Sequence, residues 1–129
     1  MVRVDEATNE LASKVIECAR SVHAELGAGL LESAYETCLC YELEKENINY
    51  ERQKELPIIY MGQALNTAGY KIDILIEDKI ILEIKSVNQI LPSHTAQIVT
   101  YLKLSKKHIG LLINFKNTNF QSSIRRIVL

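Results

Sequence analysis

Residues 70–87 read YKIDILIEDKIILEIKSV, in which isoleucine and leucine form two runs typical of paired β-strands. Four charged residues lie inside these runs rather than at their ends: Lys71, Asp73, Glu83 and Lys85. Successive side chains of a strand alternate between the two faces of a sheet. The length of the loop between the runs therefore determines which residues lie opposite one another, and where the charges meet.

The loop between the two runs can hold two or three residues. A two-residue loop, Glu77 and Asp78, would pair Ile76 with Lys79 and would mix polar and apolar side chains on both faces. A three-residue loop, or a bulge with the same offset, would pair Ile76 with Ile80 and keep the aliphatic side chains together. That apolar face would consist of Ile72, Ile74, Ile76, Ile80, Leu82 and Ile84. We therefore predict the second register.

The predicted register brings charged residues into direct contact on the opposite face. The pairs on this face would be Leu75 with Ile81, Asp73 with Glu83, and Lys71 with Lys85. The Cβ atoms of Asp73 and Glu83 would then lie about 5 Å apart, where like charges are destabilising. Two half-buried carboxyl groups at this separation share a proton or bind a cation. The alternative is a pair of exposed acids, each balanced by a lysine.

The chemistry of these side chains indicates a metal site. Carboxylate oxygens on adjacent strands suit a hard divalent ion such as Mg²⁺, which retains several water molecules. Lys85 follows Glu83 by two residues and therefore points to the same side of the sheet. From there its ammonium group could orient an attacking water or stabilise charge on a phosphate. The combination indicates metal-assisted hydrolysis of a phosphodiester bond.

The whole chain predicts an α/β fold with a mixed β-sheet flanked by helices, in the order ααβββαββ. We expect Thr8 or Asn9 to cap the first helix and Gly27 to end it. Leu31 should lie on the inner side of the second helix. Pro57 should occupy an edge or bulged position in its strand. The predicted helices cover 8–26, 31–46 and 91–105; the five strands of this order cover 50–60, 70–76, 80–87, 108–115 and 124–129, and a short additional strand at 63–65 precedes a loop over 66–69.

The composition is that of one soluble domain, which we assign to residues 1–129. Apolar residues make up 47% of the chain and charged residues 24%, and no apolar run approaches the roughly 20 residues that span a bilayer. The N-terminus, MVRVDEATNE, has acids where a signal peptide would need an apolar segment. We therefore expect a cytoplasmic protein that does not insert into membranes.

The cysteines and the net charge limit the kinds of structure and function that the chain can have. The three cysteines lie in helix-like segments, which argues against a disulfide framework and favours buried thiols. The formal net charge is −1, so the chain lacks the basic excess of proteins that bind nucleic acid by charge alone. If nucleic acid is the substrate, its affinity must come from a local patch, a metal ion or a partner.

The motifs of the chain resemble those of a known group of nucleases. Asp73, nine intervening residues and Glu83-Ile84-Lys85 resemble the signature of the PD-(D/E)xK nuclease superfamily, an acid on one strand and (D/E)-x-K on the next. Residues 29–35, GLLESAY, match the G-x-x-E-x-x-Y motif of the small prokaryotic family named after it. Residues 94–101, HTAQIVTY, resemble the Q-x-x-x-Y motif of one nuclease branch, and the closing GLLINF…RRIVL resembles the C-terminus of the GxxExxY family.

This resemblance, which covers nearly the whole chain, implies a restriction-endonuclease-like fold around a metal site. It implies that Asp73 and Glu83 bind Mg²⁺ or Mn²⁺, with the carbonyl of Ile84 as a third ligand. Glu32 would complete the metal shell directly or through water, and Lys85 would be the catalytic lysine. Without the resemblance, Glu32 is a favourable negative charge in the first turn of a helix.

The third predicted helix would supply further site residues. By the same resemblance Gln97 would act in the site by orienting the substrate or a ligand, and Tyr101 would support it one turn away. His94 shares the helix face of these two residues, and the three side chains either line the site or form a structural network. Lys71 would bind a phosphate or balance the charge of Asp73.

Three functions are compatible with the sequence. The first is a metal-dependent nuclease for DNA or RNA, in which Asp73 and Glu83 bind Mg²⁺ and Lys85 assists the attacking water. The second is a non-catalytic module with a nuclease fold that binds nucleic acid or a protein partner. The third is a homo-oligomeric structural protein with an ion-pair cluster. A nuclease of 129 residues with few basic groups would gain binding surface by dimerising, so a homodimer remains an alternative to a monomer.

Overall fold

The computed structural model describes the backbone of residues 4–129 and the side chains of residues 4–65 and 69–129. Three helices and five strands follow in the predicted order ααβββαββ, and the predicted α/β class is confirmed. The helices are α1 (Glu6–Leu26), α2 (Glu32–Lys45) and α3 (Pro92–Ser105). The strands are β1 (Tyr50–Tyr60), β2 (Gln63–Ile76), β3 (Ile80–Lys85), β4 (Ile109–Asn114) and β5 (Ile124–Val128), with a short 3₁₀ helix at Phe120–Ser123.

The five strands form one mixed sheet in the order β1-β2-β3-β4-β5. Neighbouring strands are antiparallel except β3 and β4, which are parallel and are joined by the crossover helix α3. Helices α1 and α2 cover one face of the sheet, and α3 covers the other. Among the described helices, none is long and apolar enough to cross a membrane.

The sheet is buried on both faces at β3. The even-numbered side chains from Ile80 to Ile84 pack between the sheet and the α1–α2 layer. Ile81 packs on the other side, with residues of α3. Since side chains alternate along a strand, Glu83 and Lys85 lie on the α3 side as well.

The hairpin between β2 and β3 has the predicted three-residue loop. Its paired residues are Ile76 with Ile80, Leu75 with Ile81, and Ile74 with Leu82. Glu77 and Asp78 have positive φ angles of 51° and 54°, and the amide of Lys79 donates to the carbonyl of Ile76 at 2.9 Å. The register inferred from the aliphatic pattern is therefore confirmed for this part of the hairpin.

Beyond Ile74 and Leu82 the pairing of β2 with β3 ends, which corrects part of the prediction. Ile72 packs on the α3 side rather than beside Ile84, and Lys71 lies opposite Glu55 of β1 rather than opposite Lys85. The side chains of Asp73 and Glu83 accept the backbone hydrogen bonds that would have continued the ladder. The predicted pairings of Ile72 with Ile84 and of Lys71 with Lys85 are therefore wrong.

The hairpin of β1 and β2 is longer than the sequence predicted. Residues 66–69 belong to β2 and not to a loop, because β2 runs without a break from Gln63 to Ile76, and Ala68 pairs with Pro57 of β1. The register shifts on both sides of Pro57, which confirms the predicted bulged position on an edge strand. A Cβ atom at Gly69 would lie 2.2 Å from the side chain of Ile58, so glycine permits the close approach of the two strands here.

The ends of the first two helices differ in detail from the prediction. Asp5, rather than Thr8 or Asn9, caps α1, and its Oδ1 accepts the backbone amide of Thr8 at 2.7 Å. Gly27 ends α1 with a positive φ of 71°, as predicted. Leu31 lies outside the core with 78% of its surface exposed, because it precedes the first residue of α2.

Candidate active site

Asp73 and Glu83 meet in the gap where β2 and β3 separate. The amide of Asp73 donates to Oε1 of Glu83 at 3.1 Å, and the amide of Ile84 donates to Oδ2 of Asp73 at 2.8 Å. Each carboxyl group thus replaces a carbonyl group in the hydrogen bonding between the strands. This exchange holds both acids at fixed positions on the sheet, as direct neighbours.

The surroundings of both carboxyl groups favour their protonated forms. Glu83 is only 4% exposed, and burial, reinforced by the nearby charge of Asp73, raises the pKa of Glu83 to about 9. Burial also raises the pKa of Asp73, whose side chain is half-buried. The charge of Lys85 acts in the opposite direction on both acids. Neighbouring carboxyl groups disfavour each other's ionisation, so a shared proton or a bound cation would relieve their repulsion.

Residues of α3 close the site from one side. Tyr101 is buried, and burial together with the charges of Glu83 and Asp73 raises its pKa to about 12. Its ring contacts that of Tyr70 edge-on, with 5.5 Å between centroids. Gln97 lies half-buried one turn earlier on the same helix. Tyr101 is therefore close to the acid pair, on the side that Lys85 shares with Glu83.

His94 and Lys71, two further predicted site residues, have other contacts. Nδ1 of His94 accepts the amide of Leu91 at 3.0 Å, so this histidine closes the first turn of α3. Lys71 is exposed and lies opposite Glu55 on β1. This contact gives His94 a structural role at the start of α3, and the choice between its two predicted roles stays a prediction.

Glu32 lies apart from the acid pair. Its Oε2 accepts the amide of Ser86 at 3.1 Å, and it lines a surface cavity of about 640 Å³ together with Gly29 and Lys116. Among the residues that the structure describes, no three His, Cys, Asp or Glu side chains converge on a point that could hold a metal ion. The structure therefore unites two of the three predicted acids.

Tyr35, the last residue of the GLLESAY motif, has a structural role. Its hydroxyl donates to the carbonyl of Gly27 at 2.6 Å and accepts the amide of Leu30 at 3.1 Å. Its fully buried ring stacks on Phe115 with 4.4 Å between centroids. The tyrosine thereby fixes the loop that leads to Glu32.

Replacing Tyr35 with phenylalanine should destabilise the protein and leave the acid pair unchanged. The variant keeps the stacking on Phe115 but leaves the Gly27 carbonyl and the Leu30 amide without this partner. We expect a loss of about 1–3 kcal/mol in the free energy of unfolding, measured by urea denaturation. As a control, Tyr41→Phe changes an exposed tyrosine on the same helix and should have no measurable effect. Equal stability of the Tyr35→Phe variant and the wild type would contradict this role.

Three residues near the acid pair were missed by the sequence analysis: Glu36, Arg52 and Gln53. Glu36 is 8% exposed on α2, and Arg52 donates to it from Nε at 3.0 Å and from Nη2 at 2.8 Å. Nε2 of Gln53 lies 2.8 Å from Oε1 of Glu36 and 3.5 Å from Oδ1 of Asp73. The sequence held one signal for Glu36. This residue follows Glu32 by one helical turn, so the two acids share a helix face, which lies towards the sheet.

The acid pair fits a hard divalent cation. Its oxygens are of the type that Mg²⁺ and Mn²⁺ prefer, and a cation would offset the repulsion between the two carboxylates that contributes to the raised pKa of Glu83. Glu36 is less suited to be a third ligand, because both of its oxygens already accept hydrogen bonds. Two protein carboxylates with several waters are a usual arrangement for Mg²⁺.

Comparison with known proteins identifies a family. The sequence model of the PD-(D/E)XK nuclease superfamily matches residues 9–127, which include all three helices except the first turn of α1, and all five strands but for the last residue of β5. No curated protein and no solved structure matches the chain.

Proposed function

Because the chain belongs to the PD-(D/E)XK nuclease superfamily, we propose that it is a metal-dependent nuclease that hydrolyses phosphodiester bonds in DNA or RNA. The observation that supports this most strongly is the pair of adjacent carboxyl groups, from the half-buried Asp73 and the buried Glu83, followed by Lys85. The G-x-x-E-x-x-Y motif at residues 29–35 further supports membership of the small family named after it.

Each residue of the site has a role in this proposal. Asp73 and Glu83 would hold Mg²⁺ or Mn²⁺, with the carbonyl of Ile84 as a further ligand. The bound cation would supply positive charge that offsets the charge developing on the phosphate. Lys85 is fixed through its carbonyl, which accepts the amide of Phe115 at 2.9 Å. Its ammonium group would orient the attacking water and stabilise the phosphate oxygens.

Gln97 and Tyr101 would act beside these groups. The half-buried amide of Gln97 can donate to a phosphate oxygen or accept from a water, so it would orient the substrate. Tyr101 is protonated at neutral pH, and its pKa of about 12 makes ionisation harder still, so it would donate a hydrogen bond and not act as a base. Glu32 lies beside the cavity near Ser86. From there its carboxylate would contact the substrate or the solvent, and not the carboxyl oxygens of Asp73 and Glu83.

A second candidate function is a non-catalytic module that binds nucleic acid or a protein partner. The observation in its favour is the position of Glu32 away from the acid pair, since within the described part of the chain no three potential metal ligands converge, and the net charge is −1. Such a module would give a gel shift without cleavage. A binding role and a catalytic role are therefore separated by one measurement.

The test is a cleavage assay on single- and double-stranded DNA and RNA, with and without Mn²⁺. We expect cleavage that requires Mn²⁺ and that falls at least about 100-fold in the double variant Asp73→Ala, Lys85→Ala. The matched control is Lys14→Ala on the exposed side of α1, which should cleave like the wild type. Cleavage that persists in the double variant would exclude this site, and a gel shift without any cleavage would favour the binding module.

A further inference from the structure

An ion pair between the buried Glu36 and the exposed Arg52 lies next to the acid pair and has no part in the proposed mechanism. The carboxylate of Glu36 accepts from Arg52 on one oxygen, at 3.0 Å and 2.8 Å, and from Gln53 on the other, at 2.8 Å. Because Glu36 is 8% exposed, these partners compensate the loss of solvent around its charge. The pair anchors α2 to the edge strand β1.

The backbone of Gln53 is shaped to reach this anchor. Consecutive residues of a regular strand point to opposite faces, so Arg52 and Gln53 would ordinarily not meet the same side chain. Gln53 has a positive φ of 50°, which is costly for a residue other than glycine, of order 1–3 kcal/mol. The turn of the backbone brings both side chains to Glu36. Strain of this kind persists only where the surroundings favour it.

The amide of Gln53 connects this anchor to the acid pair. A glutamine amide group carries two donor hydrogens, and Nε2 of Gln53 lies 3.5 Å from Oδ1 of Asp73 in addition to its contact with Glu36. Oδ1 is the oxygen that the amide of Ile84 leaves free, because that amide donates to Oδ2. The Asp73 carboxylate is thus held through both oxygens, by β3 on one side and by Gln53 on the other.

We propose that Gln53 is a positioning residue, which orients the Asp73 carboxylate by tying it to the Arg52–Glu36 pair. Gln53 lies between the two acids Glu36 and Asp73, and a neutral side chain with two donor hydrogens suits this position. Its effect on the Asp73 carboxylate is independent of the nuclease proposal. The consequence for cation binding rests on the proposed function, because it assumes that Asp73 binds the cation.

Two substitutions test the inference without disturbing the backbone. Asparagine and glycine both tolerate a positive φ, so Gln53→Asn and Gln53→Gly should fold. Asparagine is shorter by one methylene group and cannot span from Glu36 to Asp73. The control is Met61→Gly, which changes another residue with a positive φ of 50°, in an exposed turn.

The readout is the backbone amide of Ile84 in the metal-free protein. In both Gln53 variants we expect its proton resonance to move upfield and its hydrogen exchange to rise about 5-fold, the equivalent of one ordinary hydrogen bond. The amide of Ile81, in the intact part of the ladder, should not change, and neither amide should change in Met61→Gly. A general loss of stability would instead move both amides together. An unchanged Ile84 amide in both folded variants would overturn the inference.

Calorimetric titration with Mn²⁺ extends the test to the cation. We expect the dissociation constant of both Gln53 variants to be about 5-fold higher than that of the wild type, for the same physical reason. A wild-type protein that takes up no Mn²⁺ would count against the proposed function. The Ile84 amide would decide the role of Gln53 in that case too, because its measurement needs no metal.

Discussion

The substitution Glu83→Gln is expected to abolish cleavage and cation binding while leaving the fold intact. Glu83 is mostly protonated at neutral pH, because its pKa is raised to about 9, and a glutamine amide resembles a protonated carboxyl group in size and hydrogen bonding. The amide of Asp73 can still donate to the side-chain oxygen at this position. The neutral amide, in contrast, cannot give up a proton to a cation. We expect cleavage to fall at least about 100-fold. This loss exceeds the one caused by removing a group that orients a metal ligand but does not itself bind the metal.

Activity and stability must be measured on the same variant to test this expectation. Glu51→Gln is the matched control, since it makes the same change on an exposed residue of β1 and should alter neither quantity. Cleavage rates with Mn²⁺ and urea denaturation at pH 7 provide the two readouts. Wild-type cleavage in Glu83→Gln would remove Glu83 from the site. Loss of both activity and folding would show instead that the carboxyl group is needed for the structure.

The stability of the metal-free protein should fall as the pH rises from about 5 to about 9. The pKa of Glu83 rises from 4.5 to about 9 on folding, so over this range the folded state binds a proton that the unfolded state has lost. Stability therefore decreases with increasing pH, and the decrease ends once Glu83 also ionises in the folded state. The raised pKa of Asp73 acts in the same sense. At about 1.4 kcal/mol per unit of pKa shift, the contribution of Glu83 alone is on the order of several kcal/mol.

The charged and titratable groups around Glu83 set the size of this effect. Asp73 on β2 and Tyr101 on α3 lie close to it, and Lys85 on β3 partly offsets their influence. The measurement is a series of urea denaturation curves across this pH range. Glu83→Gln should flatten the dependence, and a saturating divalent cation should reverse it by favouring the ionised pair. A flat profile in the wild type would contradict the raised pKa of Glu83.

The sequence was sufficient to predict the register of the hairpin and the meeting of its two acids. Aliphatic side chains at alternate positions leave only one loop length that keeps them together, and Ile74 lies opposite Leu82 as that argument requires. The same alternation suggested that pairing continues past this point. It does not, because the side chains of Asp73 and Glu83 bond to the backbone, and side-chain bonding of this kind leaves no mark on the pattern of polar and apolar residues.

Other errors arose where distant contacts outweigh local signals. The polar residues before Gly69 indicate a loop, yet the long partner strand β1 keeps them in β2. Glu36 looks like a solvated helix residue, and only the fold brings Arg52 and Gln53, which are 16 and 17 positions away, to its oxygens. The positive φ of Gln53 is equally invisible, because glutamine is not a residue that favours it.

The early end of the ladder between β2 and β3 affects how the molecule can adapt to a ligand. In a regular sheet, two neighbouring strands can move apart only if the backbone hydrogen bonds between them break. Here the bonds across the gap at Asp73 are made by side chains, because the carboxyl groups of Glu83 and Asp73 accept the amides of Asp73 and Ile84. A side chain can rotate while the backbone stays in place, so these two bonds can be exchanged without breaking the backbone pairing of Ile74 with Leu82. A ligand that draws the carboxyl oxygens towards itself would therefore loosen the contact between the two strands at the site first, and the backbone ladder next to the turn only afterwards.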